Sequence, residues 1–210
     1  MKSLLEIIEG LKIGSKTNVN TYKYFPKSTD ELKKIIKKLI EDGVNNLNVI
    51  DTSSINDMKN LFNDLDIDKK IIKNIQINKW NMSNVKSTRN MFMGCENFNS
   101  SLSGWDVSNV EDMSGMFYKC KTFNQDLSNW DVSNVRNMSE MFEGCISFNQ
   151  DISNWKMDNV KNIDRMFYNC KDFKCDLSNW NISNCSMEDT FTNKSVLLNL
   201  PDWYDYDEED

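Results

Sequence analysis

Large apolar residues return to the same phase every 25 positions. Trp80, Trp105, Trp130, Trp155 and Trp180 keep that step, and so do Phe92, Phe117, Phe142 and Phe167. Cys95, Cys120, Cys145 and Cys170 follow it, with Phe98, Phe123, Phe148 and Phe173, and Val85, Val110, Val135 and Val160. A fixed period of this length marks a stacked repeat. One such unit alone buries too little apolar surface to offset the ordering of its own backbone, so each unit closes both flanks against its neighbours.

Within a unit, Leu127-x-x-Trp130-x-Val132 fits the leucine-rich-repeat core pattern. The alternation of Trp130, Asp131 and Val132 predicts a short strand with Asp131 pointing out. Met138, Met141, Phe142 and Cys145 stand at i, i+3, i+4 and i+7, which predicts one or two helical turns, with Gly94 and Gly144 as stops in their units. The expectation is therefore an α/β repeat: a leucine-rich-repeat-like solenoid with short parallel strands and short helical turns. Asn84, Asn109, Asn134, Asn159 and Asn184 form a further column, read as a buried ladder that satisfies turn backbone groups. The ends of the array are worn. Phe62 precedes Phe92 by 30 residues, which places about five extra residues around Asn63 to Ile75, and Thr190-Phe191 stands where other units have Met-Phe.

The N-terminal region has a different rhythm. Ser28-x-x-Glu31 is a capping box, and Leu32, Ile35, Ile36, Leu39 and Ile40 share one helical face. Gly43 is the expected stop. This amphipathic helix is read as a cap on the array, with a second short helix over residues 2 to 12. Its opposite face carries Lys33, Lys34, Lys37 and Lys38, either solvated or in contact with an anionic membrane or acidic partner. The division is a helical cap at 1–46, about six repeats at 47–192, and a C-terminal cap with an acidic tail at 193–210.

Composition narrows the chemistry. The net charge is −7 and the pI about 4.8, which argues against nucleic acid as a partner because phosphate binding needs a basic surface. Much of the charge lies in Asp202, Asp205, Asp207, Glu208, Glu209 and Asp210, either a solvated end or a docking peptide anchored by Trp203, Tyr204 and Tyr206. There is no histidine, which removes Ser-His-Asp and Cys-His catalysis and histidine metal sites. No glycine-rich phosphate loop and no carboxylate pair at a catalytic spacing is present, so no enzyme, no cofactor and no metal is expected. Four cysteines share the inward Met-Phe-x-x-Cys slot and read as small core hydrophobes. Cys170 and Cys175 form a close pair without a second, a weak zinc pattern. Disulfides between successive rungs stay open at this point.

From Trp105 to Ser128 the chain reads Trp-Asp-Val-Ser-Asn-Val-x-x-Met-Ser-x-Met-Phe-x-x-Cys-x-x-Phe-Asn-Gln-Asp-Leu-Ser. This phrase closely resembles the repeat of the BspA-type leucine-rich-repeat surface proteins, including the variant found in mycoplasma lipoproteins. The resemblance covers about residues 47 to 192. It implies a leucine-rich-repeat-like fold and a role in adhesion or protein binding, often at a bacterial surface.

The residue between each inward Trp and the next inward residue points out. Those positions are Asn81, Asp106, Asp131, Lys156 and Asn181, a varied column on a constant core and the candidate binding face. The functional expectation is a protein-interaction module, with a self-associating structural subunit as the alternative. The segment Met1 to Gly10 has Glu6 and Glu9 among its apolar residues and lacks a signal-peptide core. A soluble intracellular protein is expected on that ground, with a cell-surface or virus-associated place implied by the resemblance.

Overall fold

The computed structural model describes residues 22–191 and 201–204. The expected helix over residues 2 to 12, and the tail residues 205–210 with Tyr206, lie outside them.

Helix α1 spans Thr29–Glu41. Ser28, in an extended conformation, accepts a hydrogen bond from the Glu31 N–H at 3.2 Å. The Glu31 carboxylate reaches back one residue further than an ideal capping box, accepting from the Lys27 N–H at 2.8 Å. Asp30 and Glu31 in the first turn and Lys38 in the last complement the helix dipole. The helix ends where Gly43 takes φ +76° and donates to the Ile40 carbonyl, while Val44 donates to Leu39. Leu32, Ile35, Ile36, Leu39 and Ile40 are buried, as their spacing expects, and belong to one continuous core with the repeats.

The repeats do not build the α/β architecture that their pattern suggests. Among the described residues α1 is the one α-helix, accompanied by two three-residue 3-10 turns, Leu47–Val49 and Lys69–Ile71. Extended strands are absent from them, and parallel pairing is confined to isolated bridges, chiefly those that link Asp57, Ser87, Asp112, Asn137, Asn162 and Ser186 in sequence, with the pairs Tyr24 and Ile50, Asn46 and Gln76, and Phe167 and Phe191 besides. The short parallel strands and helical turns of a leucine-rich-repeat-like solenoid are thus overturned. Each unit is a string of tight turns.

Hydrogen bonding gives the reason. At Trp130 the side chains alternate as expected, with Trp130 and Val132 buried and Asp131 exposed. The Trp130 N–H, however, closes back on Leu127 at 3.0 Å and the Val135 N–H on Val132 at 2.9 Å, so these groups serve turns within the coil. Pairing between coils falls instead in the segment that reads as helical. The N–H groups of Met138, Glu140, Phe142 and Gly144 donate to the carbonyls of Asn162, Asp164, Met166 and Tyr168 in the next coil, at 2.8–3.0 Å. The residues that follow the last three of them, Met141, Glu143 and Cys145, close back three positions. A helix cannot persist here because Glu140 (φ 59°) and Gly144 (φ 72°) are left-handed. The same two slots are left-handed in the other coils, at Asn90 and Gly94, Gly115 and Lys119, Arg165 and Asn169.

The core consists of aromatic columns along the stack. Phe92, Phe117, Phe142 and Phe167 lie 5.6–5.8 Å apart from ring to ring, and each packs at 4.0–4.2 Å against the second phenylalanine of its own coil. The Trp80, Trp105 and Trp130 rings stack at 6.4 Å. The indole N–H groups of Trp80, Trp105, Trp155 and Trp180 donate to the carbonyls of Leu47, Ile77, Leu127 and Ile152. Each tryptophan thus combines a large buried area with a satisfied polar atom. Trp130 is the exception, its buried N–H having no partner.

Candidate functional site

Asn81, Asp106, Asp131, Lys156 and Asn181 are all exposed and occupy equivalent positions in successive coils. They stand on turns, and the turns use their side chains. The Asp106 carboxylate accepts from the Ser108 N–H at 3.1 Å and hydroxyl at 2.6 Å. Asn81 accepts from Ser83 in the same way, at 2.9 and 2.7 Å. Asp131 accepts from the Ser133 N–H at 3.0 Å, and hydrogen bonding from Ser133 holds its carboxyl below the usual aspartate range. Asn181 accepts from the Ser183 hydroxyl at 3.2 Å and donates to Asp158 at 2.6 Å. Such Asx turns fix one oxygen of each aspartate and leave the other for solvent or a partner, whereas in Asn81 they occupy the only oxygen and leave the amide NH2.

A second acidic column, Asp126, Asp151 and Asp176, repeats the device with Ser128, Ser153 and Ser178, and these hydrogen bonds lower all three carboxyl pKa values. Asp151, Asp176, Asn149, Lys174, Cys175 and Asn179 line an open cleft of about 380 Å³. The cleft lies where Cys175 replaces the glutamine of the previous units. Gln125 and Gln150 donate to Asn99 and Asn124, whereas the shorter thiol of Cys175 donates to the Asp151 carboxylate at 3.5 Å. No group of three or more cysteine and acidic side chains suited to a metal ion occurs among the described residues.

The asparagine ladder exists, but on the surface. Asn84, Asn109, Asn134 and Asn159 are exposed. Their amides donate to the carbonyls of Ser53, Ser83, Ser108 and Ser133 in the preceding coil at 2.7–2.9 Å. Two ladders escaped the sequence reading although their 25-residue step is visible. Asn129 and Asn154 donate to Ser103 and Ser128, and Asn99, Asn124 and Asn149 accept the backbone N–H groups of Asn124, Asn149 and Lys174.

The cysteines are free thiols, and Cys95, Cys120, Cys145 and Cys170 are buried. No disulfide joins the rungs. Burial pushes the Cys95 thiol up to about 12 and raises Cys120, Cys145 and Cys170 strongly.

Three of the four helix lysines are engaged within the chain. Lys33 pairs with Asp64 at 2.7 Å, Lys37 with Asp66 at 3.2 Å and Lys38 with Asp42 at 2.7 Å. Asp64 and Asp66 belong to the inserted segment, so the extra residues brace α1. Trp203 and Tyr204 are likewise occupied. Trp203 continues the tryptophan column, stacked on Trp180 at 6.4 Å and donating to Leu177, and Tyr204 packs edge-on against Phe191 and Trp203. The step from Trp180 is 23 residues rather than 25, which hides Trp203 from a strict period. No described helix is long and apolar enough to cross a membrane.

The stacked coils define a repeat protein. The model of the family described as "Mycoplasma protein of unknown function, DUF285" matches residues 30–129 and residues 100–203. These matches span most of the chain, and the chain belongs to that family. No curated protein and no solved structure matches it.

Proposed function

We propose that the chain is a non-enzymatic protein-binding module that works through the column Asn81, Asp106, Asp131, Lys156 and Asn181. The observation that carries this reading is the column itself: five exposed polar side chains of differing charge in one register. Four of them are oriented by short hydrogen bonds. A side chain already fixed loses little freedom when a partner engages its remaining polar atoms. The BspA-type resemblance of Trp105 to Ser128, with its implied role in adhesion or protein binding, supports the same reading. Asp106 and Asp131, neighbours at its centre, suit a lysine or arginine of the partner.

The test is affinity capture from an extract of the source organism, with wild type and Asp106→Lys/Asp131→Lys compared and their circular dichroism matched. Partners held by wild type and lost by the variant support the column as the working face. An unchanged set of partners removes it from consideration.

A further inference from the structure

On the side of the stack where the coils pair, one column changes its charge from end to end. The equivalent positions are Lys59, Arg89, Ser114, Ser139, Asp164 and Glu188. Backbone bonds fix their register. Asn60 donates to the Arg89 carbonyl, Asn90 to Ser114, Gly115 to Ser139, Glu140 to Asp164 and Arg165 to Glu188, at 2.8–2.9 Å. The column reads basic, basic, neutral, neutral, acidic, acidic.

This order is antisymmetric about its midpoint. We propose that the face binds a second copy of this chain in antiparallel orientation, forming a two-fold dimer. The two-fold axis falls between the Ser114 and Ser139 coils. Lys59 then meets Glu188 of the other copy, Arg89 meets Asp164, and the small serines let the faces approach at the centre. An isologous interface requires such self-complementarity. A parallel arrangement would set like charges opposite one another.

The surrounding residues leave these charges available. Lys59, Arg89 and Glu188 are exposed and have no ionic partner among the described residues. Asp164 accepts only from neutral groups, the Ser186 hydroxyl, the Glu188 N–H and the Asn162 amide. Arg165, in the next column, is already neutralised by Glu143 and Asp189, and Lys86 by Glu111. The face is roughly 25 Å long, five coil steps of about 5 Å, which matches the breadth of an ordinary interface patch.

Sedimentation velocity on the full chain tests the proposal. Wild type is expected to dimerise at about 100 µM in low salt, and to dissociate as salt rises to about 0.5 M. Lys59→Glu and Glu188→Lys are each expected to weaken the dimer about tenfold or more, because each sets like charges opposite one another. Lys59→Glu/Glu188→Lys exchanges the charges and restores the dimer. Both residues are exposed and outside the core, and circular dichroism verifies that the variants fold. A wild type that stays monomeric in low salt overturns the proposal, and so does a charge-exchanged variant that associates no better than its single parents. Neither result bears on the Asp106 and Asp131 column, which lies at different positions of each coil.

Discussion

The thiol of Cys145 donates a hydrogen bond to the backbone carbonyl of Phe117, one coil earlier, at 2.9 Å. Cys120 and Cys170 make the same bond to Phe92 and Phe142. The cysteine column therefore does more than fill space, since each thiol adds a second, inter-coil hydrogen bond to a carbonyl that already accepts a turn N–H, as Phe117 does from Cys120. Cys145→Ala removes the donor and leaves a small cavity. It is expected to destabilise the fold by about 1–3 kcal/mol, read as a lowered midpoint of urea unfolding.

The thiols divide by accessibility. Cys175 and Cys185 are half-buried, while the other four are buried. A thiol reagent applied to the native protein is expected to modify Cys175 and Cys185 first, at a rate slowed by their raised pKa values, and the rest only on unfolding. Rapid modification of Cys120 or Cys145 without denaturant contradicts this. The raised thiol pKa values also set a pH dependence. A thiol whose folded pKa lies above its unfolded value contributes stability that is fully present below the unfolded pKa, near 8.5. That contribution is lost as the pH rises through the folded pKa, about 11 for Cys185 and about 12 for Cys95. Unfolding midpoints are therefore expected to fall progressively from about pH 8.5 upwards.

Thr88 occupies the slot filled by Met113, Met138 and Ile163 in the following coils. It is fully buried and its hydroxyl has no partner. Thr88→Val keeps the shape and removes the orphan hydroxyl, so it is expected to stabilise the protein by about 1 kcal/mol or more. Equilibrium unfolding measures it, and a destabilised variant contradicts this reading.

Gly104 stands where later coils have Asn129, Asn154 and Asn179. A Cβ there would run into the backbone carbonyl of Asn78, which cannot swing aside as a side chain does. Gly104→Ala is expected to cost about 1–3 kcal/mol. Gly94→Ala in the same assay separates steric clash from backbone strain, because its Cβ meets only ordinary contacts with Lys69 while its φ is +73°.

The helix α1 and the core positions were legible in the sequence, but the secondary structure of the repeats and their hydrogen bonding were not. Leu32, Ile35, Ile36, Leu39 and Ile40 announce α1 because a 3.6-residue period, a capping serine and a terminal glycine agree. The 25-residue step of Trp, Phe and Cys likewise identifies the core. The path of the backbone between those anchors is ambiguous. Met138, Met141, Phe142 and Cys145 fit a helix face and a chain of three-residue turns equally well. The left-handed slots that decide between them are filled by Glu140 and Arg165 as well as by glycine and asparagine. A glycine in every unit would have revealed a repeated break, whereas Glu140 and Arg165 conceal it. The Trp130-Asp131-Val132 alternation places side chains correctly but carries no information about where the N–H groups go. At the candidate site, Asp106-x-Ser108 and Asn81-x-Ser83 already had the spacing of an Asx turn, and their structural duty was readable there. The charge reversal from Lys59 to Glu188 emerges only when the bridges align coils whose lengths are unequal.

The stack also has a direction. In each complete coil four peptide N–H groups on the pairing side donate forward to the next coil, as Met138, Glu140, Phe142 and Gly144 do, whereas Arg136 donates backward to Glu111. The leading rung is therefore rich in acceptors and the trailing rung in donors. Thr29 suits the first condition, its hydroxyl donating to the Asp57 carbonyl at 2.6 Å where α1 begins. The two ends are chemical opposites, like the poles of a bar magnet, and a cap that seals one would repel the other.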